Sequence, residues 1–328
     1  MRHVRRISSL GLLVLAALLG VSAQTKPITV FMIPKFVGIR YFDASQKGAL
    51  EAAGELGIRL IHKGATTASL PEQIALIQSA IRSRVDVIAI AANDPKAVAP
   101  ALQQARDAGI KVVTWDADAN ARDLFVNQVT FRSMGEALVK SMVRQVGPRA
   151  DVAIITTSLR APNQASWVAA IRELLRLKHP GLRLLEMRAP GEDQQEAQAK
   201  TLELLRRHPS LKGIWVLGGV PSPGVAEAVE MTGNSGKIAV IPVATPQTMA
   251  AYIKNGTVLE VVLWNPIDLG YLTVYAAKAV VQGKAKVGGK FNAGRLGGYT
   301  VRADRLGRTV ILGPPKIFNA SNVDQFGF

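Results

Sequence analysis

The 328-residue sequence contains no cysteine, only four histidines and few aromatic side chains, which make up 5% of the chain. The absence of cysteine excludes disulfides, a thiolate nucleophile and metal sites with sulfur ligands. The histidines, His3, His62, His179 and His208, do not occur in pairs at metal-ligand spacing, so we expect no bound metal. No Gly-x-Gly-x-x-Gly loop joins a predicted strand to a helix, and no Gly-x-Ser-x-Gly motif occurs, so we expect no cofactor and no serine hydrolase.

Acidic residues are also scarce, because 40 lysines and arginines stand against 24 acids and give a net charge of +16. Such an excess can serve binding to nucleic acid or to an anionic surface. The basic residues are scattered over polar helix faces and late loops, as at Arg82, Arg172 and Arg302, without interleaved aromatic residues. This distribution favours a solvated surface over a nucleic-acid site, with weak adhesion to an anionic membrane as an alternative.

Long apolar runs are missing beyond the first residues of the chain. There, the run Leu10–Leu19 follows three arginines and ends in small residues up to Ala23. This order is typical of a cleaved signal peptide over residues 1–23, so we expect a mature chain exported to the periplasm or extracytoplasmic space. The alternative is an uncleaved anchor, which the shortness and alanine content of the run disfavour.

The rest of the chain alternates short β-branched segments with segments of helical period, which is typical of doubly wound α/β sheets. The predicted strands are Ile28–Ile33, Arg59–His62, Val85–Ala91, Lys111–Thr114, Leu124–Asn127, Asp151–Thr156, Leu182–Arg188, Gly213–Leu217, Ile238–Val243 and Leu259–Trp264. The predicted helices are Asp43–Leu56, Leu70–Arg82, Pro95–Ala108, Ser133–Val146, Asn163–Leu177, Glu192–His208, Pro223–Thr232, Pro246–Asn255 and Asp268–Gln282. Two successive sets of strand–helix units indicate two lobes. No flexible linker occurs near Asn127–Phe131, so we expect short extended segments to join them.

The stretch Lys111–Asn120 carries the strongest indication of a binding site. Its strand runs directly into Trp115, Asp116 and Asp118. Ligands of open α/β sheets bind outside the carboxyl ends of the strands, so an indole beside two acids fits a small-ligand site, and a solvated loop is the alternative. A glycosidase is disfavoured, because Asp116 and Asp118 are two residues apart on an extended chain. They point the same way, whereas the two acids of a glycosidase must flank the glycosidic bond.

Polar or aromatic side chains also follow most of the other predicted strands. They are Lys35, Phe42, Asn93, Asn163, Gln164, Pro223, Trp264 and Asn265. Carboxylates accept hydroxyl protons, amides both donate and accept hydrogen bonds, and aromatic rings cover the C–H faces of sugars. Each residue alone has a structural explanation, as Asn163 has in capping a helix. Their shared position at strand ends favours a site for a neutral polyol or sugar.

Several longer motifs resemble the periplasmic sugar-binding proteins of ABC importers, and especially their rhamnose and autoinducer-2 binding subgroup. They are Ile33-Pro34-Lys35 with Tyr41-Phe42, VVTWDAD, NQASW and LWNPIDLGYLTVYAAKAV. The resemblance covers nearly all of the mature chain. It implies the type I periplasmic-binding-protein fold, in which three crossover segments join two doubly wound three-layer lobes around a ligand cleft. We expect one lobe over residues 24–128 and about 265–295, and the other over residues 129–264 and about 296–328.

The resemblance also implies function: a monomer that is not an enzyme, captures a small sugar by cleft closure and delivers it to an ABC permease. The autoinducer-2 receptor pattern places a lysine on Lys35, an aspartate on Asp116 and a proline on Pro223. Its Asp-Gln pair falls on Asn163 and Gln164, so an amide replaces the acid, and its alanine falls on Val225.

The motifs Asn93-Asp94-Pro95 and AGRLG resemble the rhamnose-binding proteins better, so we expect rhamnose or a similar deoxyhexose, whose methyl group needs an apolar wall such as Phe42, Trp115 or Trp264. The alternatives are an autoinducer-2 receptor and a sensor that presents its ligand to a chemoreceptor. A transcriptional regulator would need a helix-turn-helix before the first strand, where there is no room. The expected ligand-binding residues are Lys35, Phe42, Asn93, Trp115, Asp116, Asn163, Gln164, Pro223 and Asn265.

Overall fold

The computed structural model describes residues 26–328, so the expected signal peptide lies outside the described residues. The first part of the chain contains β1 (Thr29–Ile33), α1 (Arg40–Leu56), β2 (Arg59–His62), α2 (Leu70–Arg82), β3 (Val87–Ile90), α3 (Ala99–Asp107), β4 (Lys111–Trp115) and β5 (Leu124–Asn127). The second contains α4 (Phe131–Val146), β6 (Ala150–Thr156), α5 (Pro162–Lys178), β7 (Leu182–Arg188), α6 (Gln194–Arg207), β8 (Leu211–Leu217), α7 (Pro221–Met231), β9 (Ala239–Pro242), α8 (Pro246–Lys254) and β10 (Val261–Leu263). The last contains α9 (Pro266–Val281), β11 (Lys290–Asn292), β12 (Gly298–Thr300), β13 (Arg302–Asp304), β14 (Gly307–Ile311) and β15 (Lys316–Phe318).

The strands form two main sheets, one in each lobe. The first has seven strands in the order β13-β14-β5-β4-β3-β1-β2, parallel except for β13. The second has four parallel strands in the order β7-β6-β8-β9. Helices α1 and α9 cover one face of the first sheet and α2 and α3 the other, while α4 with α5 and α6 with α7 cover the second sheet. Helices on both faces explain why strands such as β3 are apolar at every position.

The chain passes between the sheets three times, after β5, after β10 and after β14. Two of these passages run side by side, because the Leu312 N–H donates to the Asn127 carbonyl at 2.8 Å and the Gly313 N–H to that of Gln128 at 3.4 Å. The architecture is the expected two-lobed α/β fold of the type I periplasmic-binding-protein class, and this prediction is confirmed. No helix within residues 26–328 is long and apolar enough to cross a membrane.

The tail of the chain departs from the expected division into lobes. We assigned residues from about 296 onward to the second lobe, but β14 pairs in parallel with β5, with Thr309 opposite Phe125, and so extends the first sheet. Only from β15, which pairs with β10, does the chain lie with the second lobe. The short sequence of β14 has no periodicity that selects one sheet over the other. Burial of Val310 against the first sheet decides the pairing.

A buried arginine fixes the hairpin formed by β13 and β14 to the loop that follows β4. The Arg122 side chain is 1% exposed, and its guanidinium pairs with Asp118 and with Asp304, each at 2.7 Å. A third bond runs to the Arg308 carbonyl at 2.5 Å. Because the charge is fully paired and hydrogen-bonded, its burial is tolerated, and the hairpin and the loop are held in one position.

The predicted elements are all present, with ends that differ by a few residues. The largest shift concerns α3, which we expected to begin at Pro95 and which begins at Ala99. The Asp94 carboxylate accepts the backbone N–H groups of Lys96 and Ala97 at 2.9 and 3.0 Å and so closes a turn before the helix. The short strands β11, β13 and β15 were not predicted.

Helices α1 and α9 approach each other through two glycines. A Cβ atom on Gly48 would lie 1.8 Å from the Ile267 carbonyl oxygen, and one on Gly270 would lie 1.8 Å from that of Ser45. Only glycine permits this backbone contact, because any side chain would force the helices apart. The contact joins the first helix of the chain to the segment that returns from the second lobe.

The pair Gly48→Ala and Gly54→Ala tests this contact within a single helix. We expect Gly48→Ala to lower the free energy of unfolding by about 1–3 kcal/mol or more, because overpacking moves α9. A Cβ atom on Gly54 would have no neighbouring atom within 4 Å, so its replacement should stabilise the helix by about 0.5–1 kcal/mol. Denaturant unfolding measures the free energy of unfolding of both variants. Equal effects of the two substitutions would contradict the proposed contact.

Candidate functional site

A cavity of about 460 Å³ lies between the two lobes at the carboxyl ends of the strands. Its wall includes residues that follow β1, β4, β8 and β10, together with the first turns of α1 and α5. The polar and aromatic lining residues are Lys35, Phe36, Arg40, Tyr41, Phe42, Asp116, Asn163, Gln164, Trp167, Glu192, Gln194, Thr245, Gln247, Thr248 and Trp264. The volume lies within the range of cavities that enclose a small molecule.

Six of the nine expected residues are on the cavity wall and three are not. Lys35, Phe42, Asp116, Asn163, Gln164 and Pro223 line it. Asn93, Trp115 and Asn265 lie behind the wall, where each supports the structure around the cavity. Parallel strands bring their carboxyl ends to one edge of a sheet, which is why the strand-end rule brought most of these residues together.

Asp116 occupies the centre of the wall contributed by the first lobe. It directly follows β4 and is 3% exposed. Its backbone has a φ of +57°, a left-handed conformation that few residues other than glycine adopt and that is typical of functional sites. Tyr41 Oη donates a hydrogen bond to Asp116 Oδ1 at 2.8 Å, and Lys35 Nζ lies 3.7 Å from Oδ2.

Burial raises the pKa of the Asp116 carboxyl above its ordinary value, and Lys35 and Tyr41 oppose that shift. The site therefore holds a carboxylate whose hydration has been removed and only partly replaced. Such a group gains from accepting hydrogen bonds from a ligand. Asp118 does not share this role, since its carboxylate turns away to Arg122 and to Thr114 Oγ1, the latter at 2.6 Å.

Lys35 connects the two lobes across the cavity. Its Nζ donates to Asn163 Oδ1 at 3.3 Å, a contact between the loop after β1 and the start of α5. Asn93 holds the same loop from behind, because its Nδ2 donates to the Lys35 carbonyl at 3.1 Å. Asn93 therefore does not line the cavity, and its amide group is directed at the backbone that supports Lys35.

The first turn of α5 presents Asn163 and Gln164 to the cavity. Asn163 Oδ1 accepts the Gln164 N–H at 3.0 Å in addition to Lys35, so its amide group has donors left for a ligand. Gln164 Oε1 accepts three bonds, from Thr156 Oγ1, Thr157 Oγ1 and the Ser158 N–H, at 3.1, 2.7 and 2.9 Å. Gln164 Nε2 makes no hydrogen bond within residues 26–328, which leaves it free to donate.

Aromatic rings form the apolar part of the wall. Trp264 Nε1 donates to Tyr41 Oη at 3.1 Å, and the two rings meet edge to face with centroids 6.0 Å apart. Burial first, and then Asp116, raise the pKa of the Tyr41 phenol well above its ordinary value, so the phenol stays neutral and donates. Trp167 lies beside Trp264, with centroids 5.8 Å apart.

Trp115 and Asn265, which do not line the cavity, have structural roles behind its wall. Trp115 is fully buried as the last residue of β4, and its ring packs edge to face behind Phe42 at 5.9 Å. Asn265 caps α9, because its side-chain oxygen accepts the Ile267 N–H at 3.0 Å. The end of the strand decides the first case, because Trp115 is buried as the last residue of β4, whereas Asp116, in the left-handed conformation that follows, lines the cavity.

Sequence reasoning did not name Tyr41, Trp167 or Glu192 as binding residues, and it offered Trp264 only as one of three candidates for an apolar wall, whereas all four line the cavity. Trp167 lies one helical turn after Asn163, so the helical period was a usable signal. No sequence signal marked Glu192 as a cavity residue, because we expected it to be the first residue of a helix. The helix α6 begins at Gln194, with the Asp193 carboxylate accepting the Glu196 N–H at 2.9 Å, and Glu192 lies in the loop before it.

The match to a known family covers most of the chain. Residues 30–285 match the family of the periplasmic binding protein domain. A D-ribose/D-allose-binding protein from Pseudomonas aeruginosa is 27% identical over 198 residues. The matched stretch covers 57% of this chain and 60% of that protein, which is less than two thirds of its length.

Solved structures match over a larger share of the chain. An ABC transporter solute-binding protein from Clostridium phytofermentas with bound L-rhamnose has a TM-score of 0.87 and 29% identity, over 92% of this chain and 98% of that one. A sugar ABC transporter protein from Actinomyces odontolyticus has a TM-score of 0.76 and 34% identity, over the same shares. The fold, the cavity between the lobes and these matches together show that the chain belongs to the periplasmic binding protein family, among the sugar solute-binding proteins of ABC transporters.

Proposed function

We propose that the protein captures a small neutral sugar, L-rhamnose or a similar deoxyhexose, by closing its two lobes and delivers it to an ABC permease as a monomer exported by a cleaved signal peptide. The observation that carries the proposal is the cavity wall itself. Lys35, Asp116 and Tyr41 come from the first lobe, and Asn163 and Gln164 from the second. A ligand between them is held by both lobes, so its binding free energy favours the closed form.

The formal charges on the wall support a neutral ligand. The charged lining residues are Lys35, Arg40, Asp116 and Glu192, two cations and two acids. Their charges cancel, so the cavity has no net charge to offset that of a sugar acid or a sugar phosphate. The uncharged lining groups are amides, hydroxyls and indoles, which suit hydroxyls and C–H faces.

Two observations support a deoxyhexose in particular. Phe42 and Trp264 provide an apolar surface beside the polar groups, where a sugar methyl group loses contact with water. The structure from Clostridium phytofermentas, which holds L-rhamnose, is 29% identical to this chain. Ribose, the ligand class of more distant relatives, has no methyl group to fill that surface.

An autoinducer-2 receptor is the second candidate. Lys35, Asp116, Gln164 and Pro223 occupy the positions of that receptor pattern and all line the cavity. Against it, the acid of the pattern is replaced by Asn163, whose oxygen is already committed to Lys35 and to the Gln164 N–H. A sensor that presents its loaded form to a chemoreceptor would use the same site.

A thermal-shift screen of the mature protein tests the proposed ligand. At a hundredfold excess over the dissociation constant, a ligand stabilises by about 2.7 kcal/mol, which for a chain of this size raises Tm by roughly 4 °C. We expect that shift with L-rhamnose, a smaller one with ribose and none with galacturonate. A shift with autoinducer-2 and none with L-rhamnose would replace the proposed ligand, and binding of galacturonate would contradict a neutral ligand.

The variant Asp116→Asn should lose affinity for the sugar by about 10–100-fold, because a hydrogen bond to a charged group contributes about 1.5–3 kcal/mol. Asp324→Asn is the matched control, since that carboxylate is 71% exposed and pairs with Lys254 away from the cavity. Calorimetric titration with L-rhamnose measures both variants. Equal affinities in Asp116→Asn and the control would remove Asp116 from the site.

Without ligand, Asp116→Asn should change stability in a pH-dependent way. The folded pKa of Asp116 is raised above its unfolded value, so the folded state binds more protons and stability is lost as pH rises through the folded pKa. The variant should match the wild type below about pH 4 and be more stable above the folded pKa. Urea unfolding between about pH 3.5 and 7 measures the difference, and a variant less stable than the wild type near pH 7 would contradict it.

A further inference from the structure

Glu192 places a second carboxylate on the wall of the cavity. It lies in the loop between β7 and α6, in the second lobe, whereas Asp116 belongs to the first. The loop has no evident structural need for this side chain. Asp193 caps α6, and Glu192 makes no salt bridge within 4.0 Å in the part of the chain that the structure describes.

The electrostatic environment of Glu192 connects it to the centre of the site. The side chain is accessible to solvent in the cavity, but protein atoms surround it, and this desolvation is the main cause that raises the pKa of its carboxyl. The Lys35 ammonium and the Thr157 hydroxyl oppose the shift, and the Asp116 carboxylate adds to it. Glu192 therefore shares the electrostatic environment of Lys35 and Asp116, although it belongs to the other lobe.

Carboxylates are scarce on the second-lobe side of the cavity, where the other side chains able to accept a hydrogen bond are the neutral amides and hydroxyls of Asn163, Gln164, Gln194, Gln247, Thr245 and Thr248. Asn163 Oδ1 accepts from Lys35 and Gln164, and Gln164 Oε1 already accepts three bonds. The two amides therefore offer donors to a ligand and little acceptor capacity. A sugar hydroxyl must also donate its proton, and on this side Glu192 is the lining carboxylate that can receive it.

We propose that Glu192 determines specificity by accepting a hydroxyl hydrogen bond from the face of the sugar that points to the second lobe. With Asp116 on the opposite side, the ligand is held by one carboxylate from each lobe. This inference rests on the proposed sugar-binding function. It predicts that the site selects sugars with hydroxyls on both faces.

The test compares Glu192→Gln with Glu196→Gln by calorimetric titration with L-rhamnose. Glu196 is the matched control, because it lies on α6 outside the cavity and pairs with Lys200. We expect Glu192→Gln to bind about tenfold or more weakly, with a melting temperature in the absence of ligand that is no lower than that of the wild type, and the control to bind as the wild type. The double variant Asn163→Asp with Glu192→Gln should recover part of the lost affinity.

Monodeoxy analogues of the sugar distinguish a direct contact from an indirect structural effect. If Glu192 accepts one hydroxyl, removing that hydroxyl should weaken the wild type about tenfold and Glu192→Gln by less than about threefold, while the other analogues weaken both proteins equally. Additive losses for every analogue, or wild-type affinity of Glu192→Gln, would overturn the inference. If the wild type binds none of the sugars, the proposed function itself fails, and the assignment of Glu192 fails with it.

Discussion

The pairing of the buried Asp116 carboxylate with Lys35 is the interaction on which the rest of the site depends. The ion pair, with Lys35 Nζ 3.7 Å from Asp116 Oδ2, offsets only part of the cost of removing the acid from water. Tyr41 supplies a further hydrogen bond and is itself fixed by Trp264. Lys35 and Tyr41, which hold the carboxylate, are themselves hydrogen-bonded to Asn163 and Trp264. The carboxylate is therefore held in place before a ligand binds, and its remaining acceptor capacity faces the cavity.

The same arrangement couples binding to the relative position of the lobes. Lys35 reaches Asn163 on the opposite lobe, and Trp264 lies at the second of the three passages between the sheets. A ligand in the cavity contacts residues of both lobes at once only when the lobes are close together. In the function proposed above these passages are the hinge, because they are short and two of them are hydrogen-bonded side by side.

The geometry of the site also lowers the stability of the folded protein. A left-handed backbone at Asp116 and a raised carboxyl pKa both destabilise the empty protein. The rest of the fold compensates through close packing, as at the glycine contact of α1 with α9, and through the paired Arg122 that holds the loop after β4. The shape of the cavity wall therefore depends on contacts far from the cavity.

The sequence by itself determined the two-lobed α/β fold and placed six of the nine expected residues on the cavity wall. Alternating strand and helix periods specify parallel sheets, and parallel strands end at one edge, so polar residues after strands such as Lys35 and Asp116 had to converge. Tertiary structure decided what local pattern does not encode. The strand β14 joined the first sheet through the burial of Val310, Trp115 pointed into the core, and Tyr41 met Trp264 across 223 positions of sequence. Glu192 reached the cavity for the same reason: contacts between distant segments, and not the propensity of its own loop, fix where that loop lies.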